Sequence, residues 1–272
     1  MMNQTVRLGD FFQRYRDEVI TVIGSGGKTS LLWFLARCFA GNDNDRERRV
    51  LVTTTTKMGA PDCGSGLFDH FTDGSGLETP QPGVTFAGSH EDGSRKTAAL
   101  PPSMLASLIR RFDVTLIEGD GSRTLPLKGW ADYEPVVAPD TTVTVGIIPL
   151  WPVGMPVSAA LVHRLPLFTA LTGAREGDIL TAAHLAAAIT GIRGGTGRRG
   201  LFAEARGKRV LFFNQAETGD ALRLAEEVAA HVLAETAPAT RLDTIIAGSV
   251  KQNEVSVLAD GLPVETVACS VR

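Results

Sequence analysis

The chain has 272 residues, of which 43% are hydrophobic and 21% are charged, and its formal net charge at pH 7 is −3. This slightly acidic composition argues against a basic nucleic-acid-binding surface, and no stretch approaches the roughly 20 apolar residues of a membrane-spanning helix. The segment from Met1 to Phe12 lacks the apolar core of a signal peptide, so we expect a cytoplasmic protein with neither nucleic acid nor a membrane as a partner. Its three cysteines, Cys38, Cys63 and Cys269, are far apart and predict neither a zinc site nor a disulfide framework.

Predicted strands and helices alternate along most of the chain. The apolar and β-branched runs that predict strands are 19–23, 49–52, 84–87, 112–117, 142–148, 209–213 and 244–246. The predicted helices are 8–16, 31–40, 101–111, a helix capped by Thr181 that runs to Ile189, and 220–236. This alternation is typical of a parallel sheet covered on both faces. We therefore predict an α/β fold of the P-loop NTPase type, with a mainly parallel sheet and helices on both faces, as a single domain over residues 1–272.

The first of these strands runs into a glycine-rich turn, a lysine and two hydroxyl residues, namely Gly24, Ser25, Gly26, Gly27, Lys28, Thr29 and Ser30. Glycines allow the backbone to adopt positive φ and to turn its N–H groups towards an anion, and the first turn of the following helix adds further unpaired N–H groups. These residues predict a phosphate-binding loop. In it Lys28 neutralises the outer phosphates and acts as a catalytic group, while the Thr29 hydroxyl binds Mg²⁺.

The loop departs from the G-x-x-x-x-G-K-[ST] pattern, because Val22 stands at the first glycine position. The remaining Gly24-x-x-Gly27-Lys28-Thr29 resembles the shorter phosphate loop of the Mur peptide ligases. The alternative interpretation is a plain glycine turn between a strand and a helix.

Four threonines and Lys57 follow the second strand, at 53–57. Ligands of open α/β sheets collect at the carboxyl ends of strands, so a threonine here could contact Mg²⁺ or the outer phosphate, and Lys57 could act catalytically by offsetting charge that develops during transfer. Alternatively, these threonines are simply favourable strand residues. Residues 60–97 are rich in Gly, Ser, Asp and Pro, and predict a mobile insertion with one short strand at 84–87 and two surface histidines, His70 and His90.

The strand at 112–117 ends in acidic residues, in the stretch Glu118-Gly119-Asp120-Gly121-Ser122-Arg123. A hydrophobic strand that ends in acids is typical of a Walker B element, since Mg²⁺ prefers a few carboxylates together with phosphate oxygens and water. We assign the metal-binding role to Glu118 or to Asp120, and Asp120 is also a candidate catalytic residue. The alternative is a solvated Asp-Gly turn.

The phosphate loop, the 53–58 run and the 118–123 stretch are followed by Pro126-Leu127-Lys128, Glu134-Pro135 and Val162-His163-Arg164. In this order, the motifs resemble the YqeC family, called selenium-dependent molybdenum hydroxylase accessory proteins, over residues 19 to 217. The resemblance implies a cytoplasmic nucleotide-binding maturation factor. Its client would be a molybdenum hydroxylase, or the cofactor of that enzyme, which it would help to equip with selenium.

Charged residues in the later motifs are candidates for substrate binding. Arg123 and Lys128 could hold an anionic substrate, with Glu134 orienting one of them, or Lys128 and Glu134 could form a surface pair worth well under about 1 kcal/mol. His163 and Arg164 are assigned to the same substrate. His163 would act as a general base or, alternatively, as a packing histidine.

The strand at 209–213 runs into Asn214-Gln215-Ala216-Glu217. This stretch resembles the N-K-x-D base-reading motif of GTPases, with Glu217 in place of the aspartate, so guanine specificity is a hypothesis. The alternative is that Asn214 starts the turn into the next helix. Before this strand, segment 194–209 carries several arginines, Arg198 and Arg199 among them, which form either a cationic lid over phosphates or a solvated loop.

Together the motifs predict that the chain binds Mg²⁺ with GTP or ATP. Their order is similar to that in metallochaperone-type GTPases, such as the urease accessory GTPase. We therefore predict an accessory protein that hydrolyses a nucleoside triphosphate during maturation of a selenium-dependent molybdenum hydroxylase. The alternatives are an ATP-dependent ligase or kinase acting on a cofactor precursor, and a nucleotide-binding scaffold without turnover.

Overall fold

The computed structural model describes residues 5–41, 48–59, 61, 64–76, 79–90, 96–193, 196–197, 199–235 and 242–261. Predictions that concern Cys63, Arg198 and Cys269 lie outside these residues, as do the side chain of His90 and part of the predicted insertion.

The described residues contain six α-helices, α1 (Leu8–Phe12), α2 (Lys28–Ala40), α3 (Pro102–Ile109), α4 (Leu165–Thr172), α5 (Ala182–Thr190) and α6 (Gly219–Glu235). A 3₁₀ turn, Gln13–Tyr15, continues α1. The strands are β1 (Thr5–Arg7), β2 (Val19–Gly24), β3 (Arg49–Thr54), β4 (Lys57–Gly59), β5 (His70–Thr72), β6 (Gly83–Ala87), β7 (Ser89–His90), β8 (Lys96–Ala98), β9 (Val114–Glu118), β10 (Leu127–Lys128), β11 (Val143–Pro149), β12 (Val162–His163), β13 (Ile192–Arg193), β14 (Thr196–Gly197), β15 (Lys208–Asn214), β16 (Thr244–Ser249) and β17 (Glu254–Asp260).

Ten strands form one sheet in the order β1-β17-β16-β15-β11-β2-β9-β3-β6-β5. From β16 to β5 each strand runs parallel to its neighbours, whereas β17 is antiparallel to β16 and β1 is antiparallel to β17. Smaller sheets are formed by β10 with β12, by β13 with β14, and by β4, β8 and β7. The predicted mainly parallel α/β sheet is therefore confirmed, while the P-loop NTPase type and the single domain stay predictions.

Helices cover both faces of the sheet, as predicted. Alternate side chains of a strand point to opposite faces, and in β15 Leu211 and Phe213 pack with apolar residues of α4, α5 and α6. The intervening Val210 and Phe212 belong to the cluster that contains α1 and α2. The main sheet is thus the middle layer of three.

The largest departure from prediction is in segment 60–97. The strand predicted at 84–87 is confirmed as β6, but β5, β7 and β8 are also present, so the prediction of a single strand is wrong. The extra strands have two or three residues, which is too short for a period-2 pattern to be recognised. The helix α4 was not predicted either; its Pro166 lies in the first turn, where a missing N–H group costs no helical hydrogen bond. Within the described ranges, none of the helices is both long and apolar enough to cross a membrane.

The parallel strands place the candidate residues at their ends along one edge of the main sheet. Because β2, β3, β9, β11, β15 and β16 are parallel, their carboxyl ends lie on the same side of the sheet. These ends are Gly24, Thr54, Glu118, Pro149, Asn214 and Ser249.

Candidate functional site

The glycines of the 24–27 loop are required by backbone conformation and by packing. Gly24, Gly26 and Gly27 have φ values of +102°, +76° and +134°. A Cβ atom at Gly24 would lie 2.2 Å from the carbonyl oxygen of Ile147, and one at Gly27 would lie 2.4 Å from Nδ2 of Asn214. Both distances are far below van der Waals contact, so this loop is held tightly between the ends of β11 and β15.

The helix α2 begins directly after this loop, at Lys28, with Gly27 as its N-cap residue. Gly27 has no side chain with which to cap this end, so the N–H groups of the first turn are available to an anion or to water. Thr29 and Ser30 lie in that turn, where Thr29 is half-buried and Ser30 is exposed.

Lys28 and Asp120 both form hydrogen bonds with the first residue of the loop. The Nζ atom of the buried Lys28 donates to the carbonyl oxygen of Gly24 at 2.6 Å and lies 3.4 Å from Oδ1 of Asp120. The same Oδ1 accepts a hydrogen bond of 3.0 Å from the backbone N–H of Gly24. One carboxylate thus holds both the start of the loop and its lysine.

Glu118 faces Thr29, the other residue predicted to bind Mg²⁺. The Thr29 hydroxyl donates to Oε2 of Glu118 at 2.7 Å. Burial raises the pKa of Glu118, Asp120 adds to that rise, and Lys28 and Thr29 oppose it. The hydroxyl of Thr54 donates to the backbone oxygen of Glu118 at 2.9 Å. Thus the threonine run helps to fix the end of β9.

The other residue predicted in this region, Lys57, lies on β4 with an exposed side chain. This strand pairs with β8 rather than with a strand of the main sheet. The catalytic role of Lys57 stays a prediction.

The alternative of a surface pair between Glu134 and Lys128 is wrong, because Glu134 is 6% exposed and Lys128 is 1% exposed. The Nζ atom of Lys128 donates to Oδ2 of Asp120 at 3.0 Å, to Oε2 of Glu134 at 2.9 Å and to the carbonyl oxygen of Gly121 at 2.7 Å. Three contacts use the three donors of an ammonium group. Lys128 therefore supports the 118–123 turn from inside.

Arg164 extends this series of ion pairs towards the surface. It donates two hydrogen bonds to the Glu134 carboxylate and one, of 3.2 Å, to the hydroxyl of Tyr133. Burial alone would raise the pKa of Glu134, but hydrogen bonds from Arg164 and Lys128 outweigh it and hold the pKa below its ordinary value. Arg164 also precedes α4 in a left-handed conformation, with φ of 58°.

Arg123 and His163 differ from these charged residues. Arg123 is exposed and His163 is half-buried. Within the described part of the chain, neither side chain has a hydrogen bond or an ion pair. Burial lowers the pKa of His163, and the nearby Arg164, Lys128 and Arg123 lower it further.

Asn214 joins the phosphate loop to the end of β16. Its Nδ2 donates to the carbonyl oxygen of Gly26 at 2.8 Å, and its Oδ1 accepts from the backbone N–H of Val250 at 3.1 Å. The exposed Glu217 accepts a hydrogen bond of 2.6 Å from the hydroxyl of Ser249. The turn that follows β16 is thereby in contact with both Asn214 and Glu217.

Arg199, the described member of the predicted lid or loop, pairs with Glu204 at 2.5 Å. Its guanidinium also donates to the backbone oxygen of Glu134 at 3.5 Å. The second contact ties the segment to the region of Glu134.

Sequence reasoning missed two contacts that complete the site. Trp130 donates from Nε1 to Oδ2 of Asp120 at 3.2 Å, and the Ser25 hydroxyl donates to the carbonyl oxygen of Pro126 at 2.7 Å. A buried carboxylate needs several donors, so an apolar stretch with a tryptophan close after Asp120 was a usable signal. No such signal identifies Pro126, because any residue supplies a carbonyl group.

Comparison with known proteins places this site in a family. The family model described as "YqeC protein" matches residues 20–166, which include the phosphate loop, Glu118, Asp120, Lys128 and Arg164. The chain is also 31% identical over 191 residues to a protein of Escherichia coli (strain K12) described as "Uncharacterized protein YqeC". That alignment covers 66% of this chain and 70% of the relative. The chain therefore belongs to the YqeC family.

Proposed function

We propose that this protein binds a nucleoside triphosphate with Mg²⁺ at the carboxyl edge of its sheet. The observation that carries the proposal is the loop Gly24–Gly27, with three glycines at positive φ, followed by the uncapped start of α2. Backbone N–H groups in such a conformation favour an anion, and Lys28 supplies the positive charge beside them. The outer phosphates would bind there, and Lys28 would exchange its contact with Gly24 for a phosphate oxygen.

The residues present fit Mg²⁺. The Thr29 hydroxyl and the Glu118 carboxylate are oxygen ligands 2.7 Å apart, at the point where the phosphate loop meets β9. Mg²⁺ is bound in proteins by one or two carboxylates together with phosphate oxygens and waters. When bound, it neutralises charge on the phosphates. We assign the metal-side role to Glu118 rather than Asp120, because both carboxylate oxygens of Asp120 already accept protein donors.

The 214–217 motif would hold the base. Glu217 is exposed and oriented by Ser249, so its carboxylate could accept hydrogen bonds from the N1 and N2 hydrogens of guanine. Asn214 would act indirectly, since it links the phosphate loop to the Ser249 turn. GTP is therefore the favoured nucleotide and ATP the alternative.

The process that we propose is the maturation of a selenium-dependent molybdenum hydroxylase in the cytoplasm. Support comes from the family membership together with the nucleotide site. In this role, binding or hydrolysis of the nucleotide would order the loops of the carboxyl edge and so control contact with the client enzyme or its cofactor.

The test is calorimetric titration of the purified protein with GTP and with ATP, each with Mg²⁺. Wild-type protein should bind one of them with micromolar affinity. Lys28→Ala should abolish tight binding, because the outer phosphates lose their main counter-charge. The matched control is Lys208→Ala, since Lys208 lies at the opposite, amino-terminal end of β15 and pairs with Glu18.

Equal affinities in wild type and Lys28→Ala would rule out the phosphate-loop assignment, and binding of neither nucleotide would contradict the proposed function. Binding of ATP alone would favour the ligase or kinase. Turnover that requires a cofactor precursor, rather than a protein client, would establish that alternative.

A further inference from the structure

The charged groups around Asp120 leave one cationic side chain without a counter-ion. Lys28 and Lys128 share Asp120, Lys128 also contacts Glu134, and Arg164 covers the outer side of Glu134. Arg123 belongs to the same turn as Asp120 but has no acidic partner among the described residues. A guanidinium group in this position is free to bind an external anion.

The backbone at Arg123 has a conformation that is unfavourable for this residue type. Arg123 and Thr124 have consecutive positive φ values of 52° and 64°, and the N–H of Leu125 donates to the carbonyl oxygen of Ser122 at 3.0 Å. Such a turn favours Asn and Gly at both central positions, so Arg and Thr here cost conformational energy. Strain of this kind is found where surrounding contacts enforce it, often at binding sites.

Contacts on either side of the turn place it against the phosphate loop. On one side, the backbone N–H of Gly24 in the loop donates to Oδ1 of Asp120 at 3.0 Å. On the other, the Ser25 hydroxyl of the phosphate loop donates to the carbonyl oxygen of Pro126 at 2.7 Å. Arg123 lies between these two anchors, and therefore beside the loop.

His163 approaches the same place from β12. This strand is parallel to β10, with His163 in register with Lys128, and the N–H of Gly129 donates to the carbonyl oxygen of His163 at 2.9 Å. The charged groups that act on its imidazole ring are the cations Arg164, Lys128 and Arg123 and the single anion Glu134. The ring is therefore in a positive environment with an N–H group to donate.

We infer that Arg123 and His163 form a second anion-binding subsite beside the phosphate loop, for a phosphate or carboxylate group of a small molecule. The planar guanidinium can donate two parallel hydrogen bonds to either group, and the imidazole adds a third donor. The subsite requires no nucleotide for binding. Its placement next to the outer phosphate of a nucleotide rests on the proposed function. In that setting it holds the acidic group of a second ligand.

The experiment follows the histidine ring by NMR during pH titrations at constant ionic strength, with and without inorganic phosphate, and in a separate arm with acetate. The His163 signal is assigned with His163→Gln. We expect phosphate or acetate to raise the pKa of His163, because a bound anion stabilises the imidazolium form. A response to phosphate alone identifies a phosphate subsite, and a response to acetate alone identifies a carboxylate subsite.

Arg123→Asn should abolish this response. Asparagine tolerates the left-handed backbone, so the turn is kept while the guanidinium is lost. The control, Arg110→Asn, removes an exposed arginine after α3 and should leave the response intact. Absence of any response in wild type, or a response that persists in Arg123→Asn, would overturn the inference.

The variant Lys28→Ala distinguishes the proposed nucleotide site from the anion subsite. It should remove nucleotide binding but keep the response of His163 to the anion. A response that disappears in folded Lys28→Ala would show that the anion occupies the phosphate loop, and would also overturn the inference. If instead nucleotide binding is absent in wild type while the His163 response persists, the proposed function fails and the anion subsite stands.

Discussion

The carboxylate of Asp120 is surrounded by four donors. They are the backbone N–H of Gly24, the ammonium groups of Lys28 and Lys128, and the indole N–H of Trp130. Two buried lysines on one carboxylate would be unstable without further compensation, which Glu134 and Glu118 provide nearby. Asp120 therefore positions the 24–27 loop, and both of its carboxylate oxygens already accept protein donors.

Removing the charge of Asp120 should be strongly destabilising. In Asp120→Asn the side chain keeps its size, but one carboxamide cannot neutralise two lysines, and its NH₂ group faces other donors. We expect a loss of about 3 to 5 kcal/mol in the free energy of unfolding, as for other buried pairs that lose one partner. Chemical denaturation measures the loss, with Asp132→Asn at an exposed position as the control.

A double variant tests whether unbalanced charge causes this loss of stability. Replacing Lys128 by Met in the Asp120→Asn background removes one of the two cations that Asp120 neutralised, so the two substitutions together should cost less than their sum. Additive losses, or a loss below about 0.5 kcal/mol in Asp120→Asn, would mean that the site is not held by charge pairing.

The helix α4 is joined to segment 130–136 through its first residues. Arg164 precedes the helix, contacts Glu134 and Tyr133, and lowers the pKa of Glu134. A short helix of eight residues has little stability of its own. This ion pair and the packing of Phe168 in the core together fix its position.

The contribution of this ion pair should depend on pH. The pKa of Glu134 is lower in the folded protein than its ordinary value of 4.5. The resulting stabilisation is therefore complete above that value and is lost as pH falls through the lowered folded pKa. Arg164→Asn keeps the left-handed backbone but removes the guanidinium. It should lower the free energy of unfolding by about 1 to 3 kcal/mol near neutral pH.

Denaturation curves at several pH values check this, with Arg175→Asn as an exposed control. The difference between wild type and Arg164→Asn should shrink below pH 4.5. A difference that is unchanged near pH 3 would instead indicate that Arg164 stabilises α4 by packing.

At the scale of the whole molecule, the carboxyl edge was predictable from sequence because its signals are local. Glycines, an apolar strand and a lysine identify the loop at Gly24–Thr29, and an apolar strand that ends in acids identifies Glu118. The burial of Lys128 was not predictable. Its partners Asp120 and Glu134 are brought to it by turns whose course depends on the pairing of β10 with β12. The edge strand β1 was also missed, because it pairs with β17, near the other end of the described chain.

A ligand at this edge should leave a distinct pattern of amide hydrogen exchange over the molecule. With Mg²⁺ and nucleotide, we expect slower exchange at 24–30, 54–56, 118–121, 214–217 and 247–250, because these segments meet at the carboxyl ends of the parallel strands. Exchange in β1 and in α1 should change little, since they lie at the far antiparallel end of the sheet or against it. Mass spectrometry of peptides measures the exchange in both sets of segments. The control protein is Lys28→Ala, which we expect not to bind the nucleotide. Equal protection of all segments would indicate a global increase in stability, and protection confined to β1 would place the ligand elsewhere.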